Sequence, residues 1–332
     1  MSPTRPVTLL TVAERAGVSK TTASDALRSS GRVSAETRAL VLEAAEQLGY
    51  VPNGSARHLR RASTGAIGLH VPEVLTRSDY YMRFVFGVVE AAAAHDHDLT
   101  LITSGPSSRV PRVDGLILGD PLDGDPIVER LMRSGLPTVT GERFRGDGEA
   151  DGVVVSDHAA MLGEMLDHLR ERGAIRPALI VAGGETDWAA GIRRGYEEWC
   201  ARHGAASVVG AVPFDVSYDE TRAVARTLLA AEPRPDALIC APAGSAAQLQ
   251  PVLSEAGLQA GTDLLLASCV EGPSMRAADP PVTAVDLHPR EAGAACAELL
   301  FDILGGEAEP GTERVHPIEL IIRESTRGNA PR

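Results

Sequence analysis

The chain has 332 residues, 44% of them hydrophobic, and a formal net charge of −13. That length calls for two or three folding units with ample core material, and no apolar run reaches the roughly 18 residues that a membrane helix needs. The opening MSPTRPVTLLTVAERAG has no apolar segment followed by a small-residue cleavage site, so a soluble cytoplasmic protein is expected.

The charge is unevenly placed. Residues 1–61 hold nine Arg or Lys against five Asp or Glu, a net of +4, which leaves −17 for the remainder. A basic head on an acidic body can still meet a polyanion, because surface charges more than about 8 Å apart are largely screened at physiological salt. Three helical patterns fill the head. Thr8 is placed to cap the first, whose Val12, Ala13 and Ala16 share a face. Gly17 ends it and Val18 is the apolar residue of the turn. Ser19 caps a second helix over 20–28, with Ala23, Ala26 and Leu27 inward and Lys20, Thr21, Ser24, Asp25 and Arg28 as a polar stripe. Ser34 caps a third, with Val41, Ala44, Ala45 and Leu48 inward and Gly49 at its end. Two helices joined by a tight glycine turn form either a helix-turn-helix, whose second helix enters a major groove, or a plain helical hairpin with a solvated face.

The order of the residues goes further. VTLLTVAERAGVSKTTASDALRSSGRVSAETRALVLEAAEQLGYVPN resembles the head of the lactose-repressor family over nearly its full length, through Val12-Ala13, Ala16-Gly17-Val18-Ser19, Thr22, Ser24, Val33-Ser34, Thr37-Arg38 and Leu48-Gly49-Tyr50-x-Pro52-Asn53. The resemblance implies that Lys20, Thr21 and Asp25 read base edges of double-stranded DNA, and that Thr8, Ser19, Thr22, Ser24 and Asn53 position its backbone. The place of Asp25 is often Arg in the family. Asp cannot pair bidentately with guanine, but it accepts from cytosine N4, so a different operator is implied. The next residues, GSARHLRRAST, correspond to the family's hinge, which forms a helix on DNA and enters the minor groove. There Leu59 takes the place of the apolar wedge, flanked by Ala56, Arg57 and Arg60.

From Thr64 onward short apolar runs alternate with helical patterns. Strands are expected at 66–71, 99–103, 115–118, 137–140, 152–155, 178–181, 237–241, 264–267 and 282–285. Helices are expected at 81–94, 125–133, 158–172, 189–203, 218–231, 245–256 and 290–304. Such alternation gives parallel sheets flanked by helices, and about 265 residues exceed one sheet of this kind, so two α/β lobes are expected with ligands outside the carboxyl ends of the strands. VDGLIL (113–118), VVVSDHAA (153–160), RRGYEEW (193–199), RPDALICA (234–241) and LIIRESTRG (320–328) are similar to the family's core, which is like a type I periplasmic binding protein. The implied organisation is a helix-turn-helix domain at 1–50, a hinge at 51–63 and an effector-binding and dimerisation body at 64–332. Within the body, one lobe comprises about 64–157 and 285–314 and the other about 158–284 and 315–328, with crossings near Asp157, Ala284 and Arg314.

The pocket departs from the family's sugar sites. Ile192 stands where an Arg is usual, Pro242-Ala243 replace an Asn-Asp pair, and Val270 replaces one of two acidic positions. Asp157, Trp188 and Glu271 remain as candidates, with Asp215 and Ile192 at the margins. An apolar or cationic effector stacked on Trp188 fits this set better than a monosaccharide. The alternative role for Trp188 is a core residue at a helix start. Only nine residues separate Thr103 from Val113, too few for a helical crossover, so the helix usual there is expected to be missing. Cys200, Cys240, Cys269 and Cys296 form no CxxC pair and read as buried small hydrophobes. HDHD at 95–98 follows a helix end and reads as a solvated turn, not a metal site. Neither a phosphate-binding glycine loop nor a GxSxG or HExxH motif occurs, so catalysis has no support. The expected function is a transcriptional regulator, a homodimer on a pseudo-palindromic operator, released by a small-molecule effector. The alternative is a regulator answering to a protein partner or corepressor. No cofactor and no metal are expected.

Overall fold

The computed structural model describes residues 7–27, 33–50, 63–72, 78–104, 109–183 and 186–328. The chain divides into two compact units, 1–63 and 64–332.

The first unit is built from α1 (Leu9–Arg15), α2 (Lys20–Leu27) and α3 (Ala35–Leu48). Each helix starts where a hydroxyl or its equivalent can satisfy an orphan amide. Thr8 Oγ1 accepts from Thr11 N, and Ser34 Oγ accepts from Thr37 N at 3.1 Å. Gly49, at φ +63°, ends α3 in the left-handed conformation that glycine adopts without steric cost. Val12, Ala13, Ala23, Ala26, Val41, Ala44 and Ala45 form the buried centre, sealed by Leu9, Val18, Leu27, Leu48 and Tyr50. The many alanines let the three short helices approach closely, so little apolar mass is needed.

The second unit holds two six-stranded sheets. In chain order the strands are β1 (Ala66–His70), β2 (Asp98–Ile102), β3 (Leu116–Gly119), β4 (Thr138–Gly141), β5 (Gly152–Val155), β6 (Pro177–Ala182), β7 (Val209–Val212), β8 (Ala237–Cys240), β9 (Leu265–Ser268), β10 (Thr283–Asp286), β11 (Thr312–Val315) and β12 (Glu319–Ile321). The first sheet runs β11-β5-β4-β3-β1-β2 and is wholly parallel. The second runs β12-β10-β9-β8-β6-β7, with only β12 antiparallel. The helices are α4 (Asp79–Ala94), α5 (Pro126–Met132), α6 (His158–Glu171), α7 (Asp187–His203), α8 (Tyr218–Leu229), α9 (Gln250–Glu255), α10 (Pro273–Ala277) and α11 (Pro289–Gly305).

Because successive side chains of a strand point to opposite faces, each strand feeds two cores. In β6, Leu179 and Val181 join α6 and α7, while Ala178 and Ile180 join α8 and α9. In β3, Ile117 faces α4 and α11, while Leu116 and Leu118 face α5. The crossing of α4 and α11 depends on two glycines. A Cβ on Gly87 would overlap the carbonyl oxygen of Arg290, and one on Gly293 would overlap that of Phe84.

The chain passes between the sheets after β5, after β10 and after β11. Ala284 lies inside β10 and Arg314 inside β11, so the second and third passages fall later than those two residues. Val285 and Asp286 thus belong to the second sheet, and Val315 to the first. The strands β7, β11 and β12 were not anticipated: VGAV, TERV and ELI carry too few apolar residues to stand out. The expected helix at 245–256 is split into a 3-10 turn, Ala246–Leu249, followed by α9. Among the described residues between β2 and β3 none is helical. Instead Val113, with Val110 beside it, packs on Ile102, Leu116 and α5, and covers the face where a helix would otherwise lie. Among the described residues no helix is long and apolar enough to cross a membrane.

Candidate DNA-binding head and ligand cleft

In the head, the polar stripe and the fold make different demands on the same residues. Ser19 Oγ accepts from Thr22 N at 3.1 Å and lies 2.8 Å from Thr22 Oγ1, so this pair starts α2. Thr8 and Thr11 exchange backbone–hydroxyl bonds of 3.4 Å each, a capping box built from threonines. Three of the residues expected at the DNA backbone, Thr8, Ser19 and Thr22, are therefore also capping residues. The turn between the helices needs Gly17 at φ +67°. Lys20 and Thr21 are exposed on the first turn of α2, and Ser24 and Asp25 sit half-buried one turn later, opposite Ala23 and Ala26. Asn53, Ala56, Arg57, Leu59 and Arg60 lie outside the described residues.

In the second unit a cavity of about 660 Å³ opens at the carboxyl ends of the strands of both sheets. Ser78, Tyr80, Tyr81, Asp120 and Glu142 line it from the first lobe. Trp188, Phe214, Asp215, Tyr218, Pro242, Ala243 and Val270 line it from the second, with His158 and Leu287 at the passages between the lobes. Its position follows from the topology: the residue directly after a buried parallel strand emerges at the sheet edge where crevices form. Asp120 follows β3 and Glu142 follows β4, and both have positive φ, +49° and +67°. Non-glycine residues adopt that conformation at some cost, which is a mark of sites where aim matters more than ease.

The carboxylates are held from one side only. Tyr81 donates its hydroxyl to Asp120 Oδ2 at 3.1 Å, while Asp120 Oδ1 is buried without a partner. His158 Nε2 lies 2.8 Å from Glu142 Oε1, while Glu142 Oε2 is buried and unpaired. Burial, and then the nearby charge of Glu142, push the Asp120 carboxyl up to about 7. The Tyr80 and Tyr81 hydroxyls are pushed well above their ordinary range, first by burial and then by Glu142 and Asp120 for Tyr80 and by Asp120 for Tyr81.

Trp188 packs on the core of the second lobe and also lines the cavity, so its two readings combine. Its Nε1 is buried and unpaired. Trp199 differs: it is fully in the core, and its Nε1 donates to Asp167 Oδ1 at 2.6 Å. Asp215 lines the cavity as well.

Three expected effector residues are elsewhere. Asp157 caps α6 through Ala160 N at 2.9 Å and lines a separate surface depression beside Glu164 and Asp167. Ile192 is buried in the core of the second lobe and does not line the cavity. Glu271 is buried and already neutralised: Arg323 reaches Oε2 at 2.7 Å and Arg276 reaches Oε1 at 2.8 Å. Asp120 and Glu142 were missed, although LILGD and TVTGE each place an acid directly after a buried strand.

The HDHD segment is a turn in which His95, Asp96 and Asp98 are exposed and His97 is half-buried, and its two rings also make local contacts. The His95 ring stacks on Phe301 at 4.1 Å with Nε2 2.9 Å from Glu298, and His97 lies 3.3 Å from Asp114. Among the described residues no cluster could hold a metal ion, and the four cysteines are free and buried.

Residues 8–53 match the family described as bacterial regulatory proteins, lacI family, and residues 166–326 match a periplasmic binding protein-like domain. The HTH-type transcriptional regulator CelR of Thermobifida fusca is 30% identical over 98% of this chain and 100% of its own. The chain belongs to the LacI family. The HTH-type transcriptional regulator AglR of Rhizobium meliloti is 29% identical over 98% of this chain and 96% of its own. The solved complex of CelR with cellobiose has a TM-score of 0.70 and 27% identity, covering 97% of this chain and 100% of that one. The lac repressor dimer bound to operator and the anti-inducer ONPF has a TM-score of 0.79 at 23% identity, covering 97% and 99%; that likeness speaks for the fold. This LacI-family protein is therefore a DNA-binding transcriptional regulator and not an enzyme.

Proposed function

We propose that the protein is a cytoplasmic repressor that binds a two-fold symmetric operator as a homodimer and is released when a small molecule fills the cleft of its body. The observation that carries this reading is the pairing of two features in one chain. One is a basic helix-turn-helix with Lys20 and Thr21 exposed at the start of α2. The other is a cavity of about 660 Å³ lined from both lobes of the body. In this reading residues 1–50 form the DNA-binding head and 51–63 the hinge. Lys20, Thr21 and Asp25 read bases, while Thr8, Ser19, Thr22, Ser24 and Asn53 meet the backbone. Leu59 enters the minor groove between Ala56, Arg57 and Arg60. One short recognition helix makes few base contacts, and a symmetric dimer doubles them and fixes the half-site spacing.

Effector control follows from linkage. A ligand bound between the lobes favours one lobe arrangement; where that arrangement binds operator less tightly, the operator-competent one is depleted, and the operator weakens ligand binding by the same factor. The solved relatives support the two partners: one complex holds cellobiose, and another is a dimer on operator DNA.

The test is a selection of genomic fragments with full-length protein at physiological salt, followed by sequencing. A two-fold symmetric motif is the expected result. A flat, motif-free pool at a concentration where the protein is dimeric would overturn the reading.

A further inference from the structure

Five of the chain's twelve aromatic residues meet at the cleft: Tyr80, Tyr81, Trp188, Phe214 and Tyr218. Three carboxylates share it with them, Asp120, Glu142 and Asp215, and among the described lining residues there is no Lys or Arg. Arg143 and Arg145, which follow Glu142 in the chain, are engaged in ion pairs. Arg143 pairs with Glu313 at 2.7 Å, and both Arg143 and Arg145 approach Asp187, at 3.7 and 3.5 Å. Glu73, Arg77 and Glu185 lie outside the described residues.

Buried polar groups are nearly always satisfied, and buried charges are paired. Here two carboxylate oxygens, one on Asp120 and one on Glu142, are buried without partners, and so is the N–H of Trp188. A ligand that completes the site brings donors or positive charge to the carboxylates and an acceptor to the indole. A neutral polyol supplies hydrogen bonds but leaves the two neighbouring carboxylates repelling each other. A cation removes that repulsion, and aromatic faces attract it through their ring quadrupoles.

Resting on the effector-binding reading above, we propose that the effector is an organic cation carrying a hydroxyl or similar acceptor, with its charge against Asp120 and Glu142 and its body among the rings of Tyr80, Trp188, Phe214 and Tyr218. Two sources share this chemistry, a quaternary ammonium alcohol and a protonated amino sugar. Both fit within a cavity of about 660 Å³.

The test is calorimetric titration of the full-length protein with two matched pairs. Choline is compared with its neutral isostere 3,3-dimethylbutan-1-ol, and the β-1,4-linked glucosamine disaccharide with cellobiose, which differs only in bearing hydroxyls where the other bears amines. In at least one pair the cation binds tenfold or more tightly than its neutral partner. Asp120→Asn and Glu142→Gln each reduce that ratio at least threefold. Equal or tighter binding of the neutral member in both pairs overturns the proposal, as does binding of neither cation at millimolar concentration. A ratio unchanged in both variants also overturns it. The regulatory reading fails separately. If cellobiose alone binds and weakens operator binding, effector control stands and the cation does not. If a cation binds but operator affinity is unmoved, the cation stands and release by this site does not.

Discussion

Replacing Asp120 by Asn tests the electrostatics of the cleft without any ligand. In the folded chain the Asp120 carboxyl ionises at about 7 against an ordinary 3.8, raised first by burial, then by Glu142 and, to a smaller extent, Asp187. The Tyr81 hydroxyl and His158 act in the opposite direction. These groups, with the Tyr80 hydroxyl, are the titratable neighbours that face it. In the unfolded chain the same carboxyl ionises near its ordinary value. Between about pH 4 and pH 7 the unfolded state therefore binds fewer protons than the folded one, stability falls as pH rises through that window, and the loss is constant above it. The full gap corresponds to a ceiling of about 4 kcal/mol, and the part lying between pH 5 and pH 8 to about 3 kcal/mol. Asn cannot ionise, yet its carbonyl can still accept from Tyr81. The Asp120→Asn protein is expected to gain stability over the parent as pH rises, by up to about 3 kcal/mol between pH 5 and pH 8. Urea unfolding followed by tryptophan fluorescence reads this directly, because both tryptophans, Trp188 and Trp199, lie in the second unit. A difference between the two proteins that does not change with pH, or one that turns against the variant as pH rises, would refute the argument that Asp120 is held against its charge.

Glu271→Gln leaves two arginines facing a neutral amide where Arg323 is mostly buried, and a loss of about 3 kcal/mol in urea unfolding is expected. A parental midpoint would mean that the Glu271 ion pairs do not hold the end of the second sheet. Gly87→Ala drives a methyl into the Arg290 carbonyl at the crossing of α4 and α11, at an expected cost of about 3 kcal/mol or more. Unchanged thermal unfolding would show that this crossing relaxes freely. Asp25→Arg should change the preferred base at one position in each half-site, because Arg pairs with guanine O6 and N7 and Asp accepts from cytosine N4. Identical selected motifs for the two proteins would remove Asp25 from the reading residues.

Much of the fold is legible in the sequence because burial and periodicity coincide. Strands such as LILG, PALIVA, ALIC and LLAS are buried along their whole length, and a run of apolar residues between turn signals marks each one. The strands that escape notice are those at or near sheet edges, where one face or one side is free of apolar demand. TERV and ELI are partly exposed, and VGAV has a glycine whose Cβ would collide with Val224 and Leu228. In the head the caps Thr8, Ser19 and Ser34 are legible because a helix start needs a hydroxyl at a fixed offset.

The cleft is less legible for a reason that lies in the geometry. A residue's chemistry is visible in the sequence, but whether another group has already claimed it is not. Glu271 follows β9 closely, as a ligand-binding acid would, yet Arg276 and Arg323 come from five and fifty-two positions away to neutralise it. Asp157 sits at the mouth of α6 and spends its carboxylate on Ala160 N. Asp120 and Glu142 have the opposite history. Each follows a strand ending in glycine, takes a left-handed backbone conformation, and keeps one carboxylate oxygen unclaimed. A buried acceptor that the fold leaves unsatisfied, at a position where the backbone is already strained, is a sharper marker of a ligand than the residue type itself. On that criterion the cleft of this regulator is defined by the acids after β3 and β4 together with the indole of Trp188, and Glu271 and Asp157 are parts of its frame.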